Sequence, residues 1–151
     1  MNSSYARGLL LVSFLIPCSV FLHGQEPCDT VSTQTAMNIC ADQKAARANQ
    51  RLRSLLADLR ASLDSTRFAQ LLRVQAQWAA YRAAHCQWEG DAFAGGSVTP
   101  MAVSGCFEAV TETRIQQLKI HLCEGEGMTG ECPASHRYDR AEVGKRDEPN
   151  H

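Results

Sequence analysis

The side chains of this sequence best suited to chemistry are cysteines and histidines. Four of them have the types and close spacing of a zinc site: His121, Cys123, Cys132 and His136. His85 directly precedes Cys86, an order that could give a thiolate activated by imidazole. Adjacent helical residues point about 100° apart, so a bonded cysteine and a half-buried histidine explain this pair better. We predict no catalytic residue, no metal and no cofactor, and therefore no enzyme.

The cysteine count favours disulfides over metal binding. The chain has 151 residues and seven cysteines, and setting aside Cys18 near the N-terminus leaves six. An even number in a small exported chain is typical of a disulfide framework. We predict the pairs Cys86–Cys106, Cys28–Cys40 and Cys123–Cys132. A bond from Cys40 to Cys86 or Cys106 stays open as the alternative.

The N-terminal segment, residues 1–24, is predicted to be a signal peptide. Arg7 provides the positive start, "GLLLVSFLI" the apolar core and "LHG" a cleavage site ending at Gly24. The apolar run is about half as long as a membrane-spanning helix requires. We therefore expect no membrane span and a mature protein that begins near Gln25, in the periplasm or outside the cell. Lipidation of Cys18 and a buried N-terminal helix are the alternatives.

Apolar periodicity predicts three helices in the mature chain. The first runs from about Thr33 to Leu63 and has the spacing of a bundle seam at Ala41, Ala45, Ala48, Leu52, Leu55 and Leu59. The second runs from about Thr66 to Glu89, with Asp64 or Ser65 as its N-cap. The third begins at Thr99 and Pro100. The predicted fold is all-α: a small antiparallel three-helix bundle over residues 25–122, stapled by disulfides, followed by a polar and partly disordered tail over residues 123–151.

The second helix carries two apolar stripes and a polar column between them. The stripe with large side chains comprises Leu71, Val74, Trp78, Tyr81, His85 and Trp88. The stripe with mostly small side chains comprises Leu72, Ala76, Ala79, Ala83 and Cys86. The polar column consists of Gln75, Arg82 and Glu89. So wide an apolar arc predicts a helix packed on two sides, as the middle helix of three would be.

The polar column is expected to form a structural network more readily than a ligand site. A buried guanidinium is costly unless it is paired, so Arg82 should have an acidic partner. The candidates are Asp42, Glu108 and Glu112. If Cys86 and Cys106 are bonded, the antiparallel register places Trp78 opposite Arg114, which predicts a cation–π contact between them.

Four segments form an ordered set of motifs: "CDTVSTQTAMNICA", "QAQWAAYRAAHC", "GGS" and "TETRIQQL". Together they resemble the LprI-like lysozyme inhibitor family of small exported bacterial proteins. The matching positions are Cys28, Cys40, Gln75, Trp78, Arg82, Cys86, Gly95, Gly96, Ser97, Cys106, Thr111, Arg114 and Leu118. The resemblance covers roughly residues 28–122 and implies a lysozyme-binding protein that protects the bacterial wall. Cys123, Cys132 and the tail lie outside that pattern.

The connection between the second and third helices is the predicted partner-binding loop. Its residues are Glu89, Asp91, Phe93, Gly95, Gly96 and Ser97. A loop on a rigid support commonly carries binding residues, and an aromatic anchor beside small residues suits insertion into a cleft. The alternative is a plain turn with Phe93 folded back onto the core.

The net charge of the chain indicates which class of partner it can bind. A formal net charge of −1 with scattered charges argues against a nucleic-acid partner. We expect a protein partner, with lysozyme as the leading candidate. A non-enzymatic envelope module that binds another protein is the alternative function.

Overall fold

The computed structural model describes residue 28, residues 30–123 and residues 132–139. These residues form three long helices: α1 at Gln34–Ser62, α2 at Ser65–Asp91 and α3 at Thr99–Lys119. Two short 3-10 helices follow, η1 at Ile120–Cys123 and η2 at Pro133–Tyr138. The three helices pack together, which confirms the all-α bundle. The predicted signal peptide and residues 140–151 lie outside the described residues.

The helix starts follow local capping chemistry. The Thr33 hydroxyl accepts a hydrogen bond of 3.2 Å from Ala36 N at the start of α1. The Asp64 carboxylate accepts hydrogen bonds of 2.9 Å from the backbone N–H groups of Thr66 and Arg67. These bonds satisfy donors that have no intrahelical partner in the first turn. Asp64 is thus the N-cap of α2, one of the two candidates that the sequence offered.

The core lies between α1 and α3. Its buried members are Leu52, Leu55, Leu59, Ile115, Leu118 and Tyr138. The leucines belong to the predicted seam of α1, whose Ala45 and Ala48 are also buried and let α3 approach closely. α3 packs extensively on α1, whereas α2 rests mainly on α3 and contacts α1 little. The middle helix of the bundle is therefore α3.

The prediction that α2 is packed on two sides is wrong. Val74, Tyr81 and Trp88, all from its stripe of large residues, are 50%, 58% and 68% exposed. At 100° per residue, Tyr81 lies about 80° around the helix from Leu71, which packs against the core. One neighbouring helix cannot cover both residues, so the outer part of the stripe faces solvent.

Part of the predicted tail belongs to the packed domain. Tyr138 of η2 is buried in the core, and its hydroxyl donates to Asp58 Oδ2 at 2.6 Å. Arg51 Nη2 donates to the backbone carbonyls of Tyr138 and Asp139 at 2.9 and 3.1 Å. Lys119 forms an ion pair with Asp139. These contacts fix η2 across α1 and α3.

The three disulfides are those that the sequence predicted: Cys28–Cys40, Cys86–Cys106 and Cys123–Cys132. Cys86 is fully buried where the C-terminal part of α2 meets α3. Cys123 and Cys132 are bonded to each other, so they are not thiolates that could bind zinc. Within the described part of the chain, no helix is long and apolar enough to cross a membrane.

Candidate functional site

Arg82 of α2 connects all three helices. Its Nη1 donates to Asn49 Oδ1 of α1 at 2.6 Å and to Thr111 Oγ1 of α3 at 2.7 Å. The guanidinium carbon lies 4.8 Å from the ring centroid of Trp78 and 5.1 Å from that of Phe107. The cation is therefore held between two aromatic rings, an arrangement that is favourable for a desolvated charge.

The prediction that Arg82 pairs with an acidic residue is wrong. None of the ion pairs among the described residues includes Arg82. Glu112 is buried but binds Arg51 instead, with both carboxylate oxygens 2.7 Å from Arg51 Nη1. Neutral oxygens and ring faces take the place of a carboxylate around Arg82. Its Nε is buried without a hydrogen-bond acceptor, and burial lowers the pKa of the guanidinium.

The predicted contact between Arg114 and Trp78 is present. The guanidinium carbon of Arg114 lies 5.8 Å from the indole centroid, and its Nε donates to Gln75 Oε1 at 3.1 Å. Burial lowers the pKa of Arg114 as well. Gln75, Trp78 and Arg82 thus share one network with α3, and they serve to join helices.

Glu89, the third member of the polar column, lies outside this network. Its exposed side chain is near His85, with 3.8 Å between Glu89 Oε1 and His85 Nε2. Asp91 is also exposed and accepts a hydrogen bond of 2.9 Å from Gln87 Nε2. Two carboxylates therefore face solvent where α2 ends.

The predicted binding loop is built from successive tight turns. The Phe93 carbonyl accepts from Gly96 N at 3.0 Å and from the Thr99 hydroxyl. Gly95 has a φ of 82°, in the left-handed region that side chains disfavour. These bonds hold the loop in one backbone path, so the glycine pair shapes a turn rather than a flexible segment.

Two neighbouring helices support the loop. Asn38 of α1 donates through Nδ2 to the Ser97 carbonyl at 3.0 Å. Gly90 is buried at the end of α2, close to Val103 of α3. On this support Phe93 is 48% exposed, so its ring is not folded back into the core.

An exposed feature that sequence reasoning missed lies along α2. We call it the aromatic flank: Val74, Tyr81, His85 and Trp88. The Tyr81 and His85 rings stack at 5.4 Å between centroids, and those of His85 and Trp88 at 6.0 Å. The sequence feature that indicates this exposed surface is the width of the apolar arc of α2, which one neighbouring helix cannot cover.

The chain is similar in sequence to known proteins over most of the residues described above. A family model described as lysozyme inhibitor LprI matches residues 26–118. An uncharacterized protein of Rhizobium meliloti (strain 1021) is 33% identical over 124 residues, which cover 72% of this chain and 89% of that protein. No solved structure matches. The matched range includes the loop and the Arg82 network, and it ends before η1, η2 and the third disulfide.

Proposed function

The chain belongs to the LprI lysozyme inhibitor family, and on this basis we propose that it is an exported protein that binds a lysozyme through the loop between α2 and α3. The observation that carries the proposal is the exposure of Phe93, 48%, on a loop with a fixed backbone. A fixed loop loses little conformational entropy when it binds, so more of its contact energy appears as affinity.

The proposed target surface is the substrate cleft of the enzyme. Lysozyme-type enzymes hold two catalytic carboxylates that flank the scissile bond. A narrow loop with one aromatic anchor can enter such a cleft and exclude the substrate. Asp91 and Glu89 would accelerate association with a cationic lysozyme, and salt would weaken that effect.

Export is the second part of the proposal. Its support is the three disulfides, which persist in oxidising compartments, together with the family. We propose cleavage after Gly24, with the mature chain beginning near Gln25. Intact mass of the exported protein tests this. A mass that includes residues 1–24, or a lipid on Cys18, contradicts it.

The binding experiment titrates the oxidised mature protein into lysozyme and measures both hydrolysis of cell walls and the dissociation constant. The c, g and i types of lysozyme are tested in parallel. We expect saturable inhibition of at least one of them by the native chain. Replacing Phe93 and Asp91 together by alanine should weaken binding about 30-fold or more, as expected for removal of an aromatic anchor worth 2 kcal/mol or more.

Tyr81→Ala is the matched control, because it removes a similarly exposed ring from the aromatic flank. It should leave the affinity unchanged. If Tyr81→Ala weakens binding and the loop variant does not, the aromatic flank is the binding surface and the loop assignment is wrong. If the native chain binds none of the lysozymes, it is an envelope module with another partner.

A further inference from the structure

A cavity of about 280 Å³ opens beside the Arg82 network. α1 lines it with Asp42, Ala46 and Asn49, and α3 with Ser104 and Phe107. The side chain of Arg82 reaches it from α2. Three helices thus contribute to one small cavity whose wall includes a cation, and the proposed loop does not line it.

Arg82 forms no ion pair with a carboxylate of the described residues. Two of its neighbours are the neutral oxygens of Asn49 and Thr111, and both hydrogen bonds use the same nitrogen, Nη1. Nε is buried without an acceptor. Removing a cation from water without an anion is costly. The Trp78 and Phe107 rings offset part of this cost, and an anion that binds Arg82 would offset more of it.

We infer that the cavity between α1 and α3 is a binding site for the carboxylate group of a small molecule, with Arg82 as the residue that binds the anion. Nη1 is already held and Nε is buried, so a carboxylate would accept a charge-assisted hydrogen bond from Nη2. Asn49 and Thr111 hold Nη1, so the cation is oriented before the ligand arrives.

The cavity wall restricts the ligand further. Ala46 and Phe107 offer apolar surface to a short hydrocarbon stem, and the Ser104 hydroxyl is the polar group on the α3 side. Asp42 adds a negative charge to the same wall, which repels a dianion such as phosphate more strongly than a monocarboxylate. A volume of about 280 Å³ is at the lower end of small-molecule sites. The ligand class is thus a short aliphatic monocarboxylate.

The test uses the oxidised mature protein and sodium propionate as the probe, followed by the ¹H–¹⁵N resonances of Arg82 Nε–H and of the Trp78 indole N–H. We expect saturable shifts of both, with a dissociation constant on the order of 1 mM. Propionamide has the same shape without the charge and should bind at least tenfold more weakly. Inorganic phosphate should also bind at least tenfold more weakly than propionate.

Replacing Arg82 risks unfolding, because its bonds join three helices, so the decisive variant is Ala46→Leu. It narrows the cavity and leaves Arg82 and its hydrogen bonds in place; we expect at least a tenfold loss of propionate binding. Ala84→Leu makes the same change on α2 at a position that is also exposed but does not line the cavity, and it should bind propionate normally. Equal binding by Ala46→Leu, equal shifts with propionamide or phosphate, or no shift of Arg82 in the folded protein would each overturn the assignment. Lysozyme takes no part in this titration, so its result is independent of the proposed inhibition.

Discussion

Gly90 offers the sharpest test of how the proposed binding loop is positioned. It is buried in the last turn of α2, and a Cβ built on it would overlap Cγ2 of Val103. Valine is branched at Cβ and cannot swing its methyl group away as a long side chain could. Gly90→Ala should therefore push α2 and α3 apart at the base of the loop.

The expected change in stability is the difference between the cost of overpacking and the gain from replacing glycine by alanine in a helix. Overpacking of a filled site costs about 1–3 kcal/mol, while replacing glycine by alanine in a helix gains up to about 1 kcal/mol. Gly90→Ala alone should thus lower the free energy of unfolding by about 1 kcal/mol. With Val103→Ala already present the overlap is gone, and the same substitution should stabilise the protein by up to about 1 kcal/mol.

The assay is a double-mutant cycle, with urea unfolding of the four oxidised proteins followed by circular dichroism at 222 nm. The expected coupling energy between Gly90 and Val103 is about 1–3 kcal/mol, equal to the overpacking cost. A coupling below about 0.5 kcal/mol is what independent sites give. That result would mean that α2 and α3 do not approach as closely as described, and that the loop is not positioned by this contact.

Two further predictions concern the docking of η2 against α1 and α3. Glu112→Ala should lower the free energy of unfolding by about 2 kcal/mol, because it removes the charge-assisted hydrogen bonds of the partly exposed Arg51; in a thermal melt this is a fall of about 5–15 °C. Glu108→Ala, one turn earlier on α3, is the control and should cost less than about 1 kcal/mol. Burial and then the hydrogen bond to Asp58 raise the pKa of Tyr138 to about 12. The raised value favours the neutral phenol in the folded state, so its contribution to stability is complete below pH 10 and is lost towards pH 12. The stability difference between the native chain and Tyr138→Phe should therefore shrink over that range, and a constant difference would contradict it.

Local signals in the sequence predicted most of the fold. The apolar seam of α1, the α2 cap at Asp64 or Ser65 and the Thr99–Pro100 start each depend on residues a few positions apart. The three helices formed as expected, with Asp64 as the cap of α2. The Cys86–Cys106 bond is only slightly less local, since it closes one antiparallel turn. That bond also fixed the register, which is why the contact between Trp78 and Arg114 could be predicted.

The arrangement of the helices was harder to predict because it depends on competition between distant surfaces. A wide apolar arc on α2 predicted two neighbours, yet the alanines of α1 allow α3 to pack most closely there and leave α2 outside. The same competition decided the ion pairs. Glu112 is nearer to Arg51 than to Arg82, and nothing in the sequence ranked those two cations.

The burial pattern of α2 explains why the proposed binding loop can be rigid on an outer helix. Cys86 and Gly90 are the residues of α2 that are buried, and both lie within its last two turns. Cys86 is covalently bonded to α3, and Gly90 lies close to α3 because it has no side chain. α2 is therefore held most firmly at the end that carries the loop, while its opposite half rests on the partly buried Leu71 and Trp78. Because the anchoring lies directly behind Phe93, the loop can stay fixed even if the rest of α2 moves, which is what the proposed insertion of one ring into a cleft requires.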